Sequence, residues 1–115
     1  MHEMAIVNNL LDECERIKVA NNARKITRVK VSLGRLSGVE EHYFKEAFKA
    51  FTSDEDSSYF NAKLEIVLKE LELLCNDCNK QFIQDKNEFS CIYCNSKNVK
   101  VISGEELLLE QLELE

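Results

Sequence analysis

Proline and tryptophan are both missing from these 115 residues, and glycine occurs only three times, at Gly34, Gly38 and Gly104. All three glycines fall where a turn is expected. No apolar run approaches the ~18 residues of a membrane span. The start Met1-His2-Glu3-Met4 lacks the basic residues that open a signal peptide. These absences lead us to expect a cytoplasmic chain with no membrane partner. A positive charge excess is missing too. Fifteen Lys and Arg stand against 21 Asp and Glu, for a formal charge of −6 and a pI of about 5.0. Nucleic-acid binders usually carry a basic patch, so no nucleic-acid partner is expected. There is no Ser-His-Asp or Cys-His set and no glycine-rich phosphate loop. Only His2 and His42 could serve as histidine bases, so the chain is not expected to be an enzyme.

What is present suits one soluble domain. Hydrophobic residues make up 44% and charged residues 31%, a globular balance. The length can bury one modest core but not two independent ones.

Met4, Val7, Leu10, Leu11, Cys14 and Ile17 recur at three- and four-residue steps, which predicts an amphipathic helix over roughly 4–22. Cys14 lies on its apolar stripe and reads as a small buried hydrophobe. Val29, Val31 and Leu33 then alternate with Arg28, Lys30 and Ser32, giving a strand with one wet face that Gly34 ends. Ser37-Gly38-Val39-Glu40 fits a capping box, with Ser37 as N-cap and Glu40 at the third helical position. A second helix over roughly 38–52 follows, with Tyr43, Phe44, Ala47, Phe48 and Phe51 on one face. His42, Lys45, Glu46 and Lys49 take the opposite, solvated face. The polar run Thr52 to Asn61 reads as a loop.

Ala62, Leu64, Ile66 and Leu68 alternate with charged residues in a second strand, which runs on through Leu71 and Leu73 towards Cys75. Val99-Lys100-Val101-Ile102 is short and β-prone. In the closing strand, Leu107 and Leu109 alternate and then Leu112 and Leu114 do, with the phase slipped by one. A bulge near Glu110-Gln111 would absorb that slip. The expected fold is α/β in the α+β sense, a three-stranded sheet with two helices and an inserted cysteine lobe. Residues 1–73 with 104–115 form the main domain and 74–103 the lobe.

The lobe carries Cys75-x2-Cys78-x12-Cys91-x2-Cys94. Two residues between cysteines let a tight turn aim both sulfurs at one point, and two such turns supply four thiolates for a tetrahedral Zn²⁺. Twelve intervening residues are slightly short of the ~15–20 in the usual spacing. Asn79-Lys80 and Asn95-Ser96-Lys97 suit the turn after each pair. Phe82, Phe89 and Tyr93 are available to pack beside the site. A redox Cys-x-x-Cys normally opens a helix beside a βαβ pattern, whereas here two matched pairs flank a short polar hairpin. Four cysteines close the coordination sphere, so the zinc is read as structural. Four thiolates and one Zn²⁺ would add about −2 to the formal charge.

At the other end, His2 sets an imidazole one residue from a free α-amine. A metal can bind the amine, the backbone nitrogen of His2 and the imidazole in fused five- and six-membered chelate rings. Nitrogen sites of square-planar geometry suit Ni²⁺ or Cu²⁺. With the bulky His2 following it, the initiator Met1 is expected to be retained and to supply the amine.

Taken together, the Met1-His2-Glu3 start before an amphipathic helix, Gly34-Arg35-Leu36-Ser37-Gly38-Val39, the two cysteine pairs and the closing Gly104-Glu105-Glu106-Leu107 to Leu112-Glu113-Leu114 strand form one pattern. The pattern resembles the HypA/HybF family of hydrogenase maturation nickel metallochaperones over nearly the whole chain. The resemblance implies Ni²⁺ as transient cargo held near His2 and Glu3, including the Met1 amine and backbone nitrogens. Glu3 would contribute either its backbone or its carboxylate. Glu40 matches an acidic position placed near nickel in some members, and its capping-box role is the competing reading. The implied partners are a HypB-type maturation GTPase and the large subunit of a nickel–iron hydrogenase; some members also supply urease. The alternative is a zinc-ribbon interaction module without a nickel function.

Overall fold

The computed structural model describes residues 2–115. Among them are two helices, α1 (Glu3–Ala20) and α2 (Glu41–Thr52), and six strands: β1 (Ile26–Gly34), β2 (Lys63–Lys69), β3 (Leu71–Cys75), β4 (Gln81–Gln84), β5 (Val99–Ser103) and β6 (Leu107–Leu114). They form two three-stranded sheets, ordered β2-β1-β6 and β4-β3-β5. The α+β class and the three-stranded sheet with two helices follow the sequence pattern. The chain divides into two compact units.

The first unit holds residues up to Ser32, Val39–Val67 and Leu108–Glu115. In α1 the stripe Val7, Leu10, Leu11 and Cys14 is buried. Burial and the neighbouring Glu13 push the Cys14 thiol up to about 11, which suits a cysteine acting as a hydrophobe. The helix stops two residues earlier than its periodicity suggests, and Asn22 is the reason. Asn22 is left-handed at φ 55°. Its N–H donates to the Val19 carbonyl and that of Ala23 to the Lys18 carbonyl, at 3.1 and 3.0 Å. This is a Schellman ending with asparagine in place of glycine.

The expected capping box does not form. Gly38 is left-handed at φ 76°, which no helical residue adopts, so α2 begins after it. Its N-cap is Glu40, in an extended conformation and without a side-chain capping bond of its own. Phe44, Ala47 and Phe48 are buried, and α2 packs against α1. Two residues assigned to apolar faces are instead exposed, Met4 at 55% and Tyr43 at 57%. His42 is exposed as expected. Ser32, read onto the wet face of β1, is buried.

The second unit takes in Leu33–Gly38 and Leu68–Leu107, more chain than the cysteine lobe read from sequence. The strand expected to run on towards Cys75 is interrupted at Glu70, and β3 belongs to the other sheet. There it pairs antiparallel with β4, Leu71 opposite Gln84 and Leu74 opposite Gln81. It also pairs with β5, with a bulge between Glu72 and Leu73. Leu71, Leu73, Cys75, Phe82 and Cys91 form the core, with Leu36, Cys78, Val99 and Val101 packed against it. Along β6 the alternation of burial reverses at Glu110 and Gln111, both exposed, within an unbroken strand.

Leu36 reaches that core because two glycines let the backbone come close. The N–H of Leu36 donates to the Gly104 carbonyl at 2.7 Å, and that of Gly34 to the Glu106 carbonyl at 2.9 Å. A Cβ on Gly34 would stand 2.4 Å from the Gly104 oxygen. Backbone cannot yield as a side-chain tip can, so Gly34→Ala should destabilise by about 2 kcal/mol, within the overpacking range. A urea midpoint unchanged from that of the parent chain would contradict this.

Candidate metal centres

The cysteine pairs sit in two near-identical turns. In the first, the Asn79 N–H donates to the Cys75 carbonyl at 2.9 Å, and in the second the Asn95 N–H donates to the Cys91 carbonyl, also at 2.9 Å. Asn79 and Asn95 both adopt φ 61°, a left-handed conformation that asparagine tolerates better than most residues. Backbone N–H groups point at sulfur within each turn: Cys78 at the Cys75 Sγ, 3.5 Å, and Tyr93 at the Cys91 Sγ, 3.3 Å. Neither pair opens a helix.

The two turns are joined by polar contacts. The Asn76 N–H donates to the Asn98 carbonyl at 2.9 Å. Asp77 accepts from the Ser96 hydroxyl and from the Asn98 amide. The result brings all four Sγ atoms within 4.8 Å of one another. Cys75 and Cys94 lie 3.6 Å apart, as do Cys78 and Cys91. Disulfide sulfurs would stand at ~2.05 Å, and all five cysteines are free. A tetrahedral ion at ~2.3 Å from each sulfur sets its ligands about 3.8 Å apart, so the donor set fits Zn²⁺.

Electrostatics within the cluster tell the same story. Burial opposes ionisation of Cys91. The backbone N–H groups of Cys94 and Tyr93 and the neighbouring thiols outweigh it and hold Cys91 down at about 7. Cys94 receives the Ser96 backbone N–H, yet burial and the other three thiols push it up to about 12. A cation among these sulfurs would favour their ionised forms. Phe82 is buried beside the site and meets Tyr93 edge-on at 6.1 Å, while Lys80 lies over the Tyr93 ring. Phe89 is exposed and absent from the lobe core.

The second constellation lies at the start of α1. Met1 falls outside the described residues. His2 is exposed and is the N-cap residue of α1, its carbonyl accepting the Ile6 N–H at 3.1 Å. Glu3 opens the helix and is only 8% exposed. Its Oε2 accepts the backbone N–H of Glu40 at 3.3 Å. His2 and Glu3 line one cavity of about 580 Å³ with Met4, Ala5, Tyr43, Glu46 and Ala47. Glu40 itself is exposed and is not among those lining residues. The exposure of Met4 and Tyr43 is explained by this cavity. Glu46, placed on the outer face by the sequence pattern, shares it; the signal was its position three residues after Tyr43, one helical turn on.

The left-handed turns give a direct test. Asn79→Ala should destabilise the lobe by about 1 kcal/mol, because alanine pays the steric cost at positive φ, while Asn79→Gly should be nearly neutral. Equal denaturation midpoints for the two variants would refute the role assigned to the turn.

The chain is similar along its length to proteins of one family. A family model described as "Hydrogenase/urease nickel incorporation, metallochaperone, hypA" matches residues 1–114. The chain is 42% identical to the hydrogenase maturation factor HypA of Shewanella oneidensis, over 100% of this chain and 96% of that one. Against the factor of the same name from Campylobacter jejuni it is 40% identical, covering 97% of both. The solution structure of the Ni metallochaperone HypA from Helicobacter pylori superposes with a TM-score of 0.72 at 36% identity, covering 99% of this chain and 97% of that one. A family of metallochaperones rather than enzymes accords with a cysteine cluster that leaves no open position, and on the match along its whole length this chain belongs to the HypA family.

Proposed function

We propose that this chain carries Ni²⁺ at its N-terminus and delivers it for the maturation of nickel–iron hydrogenase, with zinc held by Cys75, Cys78, Cys91 and Cys94. The observation that carries the nickel reading is the placement of His2 and Glu3 together on one open cavity at the start of α1. Nickel is cargo, and its site has to release it. The Met1 amine, the His2 backbone nitrogen and imidazole, and the Glu3 backbone offer nitrogen donors of the kind that suit square-planar Ni²⁺. His2 is exposed, and donors of this kind can be displaced by a receiving site one at a time. Glu40 is a further candidate ligand, its backbone N–H bonded to the Glu3 carboxylate.

The zinc site has the opposite character. When bound, zinc supplies cross-linking and charge neutralisation to a unit whose own buried core is five residues. Nickel handling belongs to the main domain, 1–73 with 104–115, and zinc to the lobe, 74–103. A HypB-type GTPase and the hydrogenase large subunit are the partners this function requires, in the cytoplasm. Urease maturation proteins are a second possible destination, in keeping with the wording of the family description.

Nickel stoichiometry tests the reading. Tag-free protein should bind about one Ni²⁺ per chain, and a version with one extra residue before Met1 should bind far less, since the amine is displaced from its chelate ring. Equal binding by both would place nickel elsewhere. No binding by either, with zinc retained, would favour a zinc-ribbon interaction module.

Zinc content tests the other half. Cys75→Ala should take the chain from about one zinc to none and expose the lobe's backbone to hydrogen exchange. In the parent chain, protons compete with the metal for the thiolates, so zinc should be lost as pH falls and retained above neutrality. Undiminished zinc in Cys75→Ala, or a zinc content indifferent to acid, would overturn the assignment.

A further inference from the structure

Glu3 is an acid in an unusual place. It is 8% exposed in the first turn of α1, where a carboxylate would ordinarily be solvated. Its Oε2 accepts the backbone N–H of Glu40 at 3.3 Å. Glu40 is the N-cap residue of α2, and its own side chain makes no capping bond. The start of one helix thus fastens the start of the other. The cavity lies between the same two starts, with His2, Glu3, Met4 and Ala5 on one wall and Tyr43, Glu46 and Ala47 on the other.

We propose that the Glu3 carboxylate is a positioning group and not a nickel ligand. By holding the Glu40 N–H it sets α2 against the chain start and keeps His2 on the cavity wall. The inference rests on the N-terminal nickel reading above. Its physical basis is the cost of the alternative. A carboxylate drawn away to a metal would leave the Glu40 N–H unpaired in a partly buried setting. It would also withdraw negative charge from a helix N-terminus, where such charge is favourable. A carboxylate left in place loses neither interaction.

Glu3→Gln separates the two roles, since glutamine keeps an acceptor oxygen but is a poor metal ligand. Nickel titrations on tag-free protein, the absorption spectrum of bound Ni²⁺ and amide exchange at Glu40 in metal-free protein would be measured for the parent, Glu3→Gln and Glu3→Ala. Glu3→Gln should keep the parent's nickel affinity and spectrum and a protected Glu40 amide. Glu3→Ala should bind nickel about tenfold more weakly, the ratio that about 1.4 kcal/mol produces, with faster exchange at Glu40. If Glu3→Gln loses nickel as Glu3→Ala does, with an altered spectrum, the carboxylate is a ligand and the inference is wrong. Identical Glu40 exchange in all three proteins would also overturn it. A parent chain that binds no nickel would instead bring down the function itself, and the inference with it.

Discussion

Four sulfur atoms drawn within 4.8 Å of one another are the constraint on which the second unit depends. Its buried core is five residues, two of them cysteines. So small a core offers little apolar burial to set against chain entropy. The two knuckles are accordingly built so that backbone does much of the aiming. Each uses a left-handed asparagine to turn the chain and directs an N–H group at a sulfur. Asp77, Ser96 and Asn98 then fix one knuckle against the other. Position is set by hydrogen bonds, while cohesion is left to whatever sits among the sulfurs.

The start of α1 follows a different logic. Nothing there closes a coordination sphere. His2 is exposed beside an open cavity, and the neighbouring Glu3 carboxylate accepts a backbone N–H at 3.3 Å. On the proposed nickel reading, a cargo site there would gain from this looseness, because transfer requires that its ligands be given up. The four-cysteine cluster and the proposed nickel site therefore fall in different units.

Much of this was legible in the residues. Periodicity gave both helices and the strands β1, β2, β5 and β6, because each buries a face at a regular repeat. The cysteine spacing gave the four-sulfur cluster, because chelation demands that spacing. What could not be read depended on contacts distant in sequence or on single dihedral angles. Gly38 looked like the second residue of a capping box, and only its positive φ moves the start of α2 to Glu41. The alternation through Leu68 and Leu71 hid a change of sheet at Glu70. Leu36 carries no local sign that it packs with Leu71 and Phe82. Glu3 stood out only as part of the Met1-His2-Glu3 start, and nothing local shows its link to Glu40, which spans 37 residues.

The division of the chain into units has a consequence for how this protein can be taken apart. The backbone passes from one unit to the other four times, between Ser32 and Leu33, Gly38 and Val39, Val67 and Leu68, and Leu107 and Leu108. No single cleavage can release either unit. A fragment beginning at Leu68 would leave Leu36 behind, and with it part of the lobe's packing. The cysteine lobe is therefore not a cassette that recombination could lift out and append elsewhere. Each unit is assembled from separated stretches of the same chain, so the two are encoded and synthesised together.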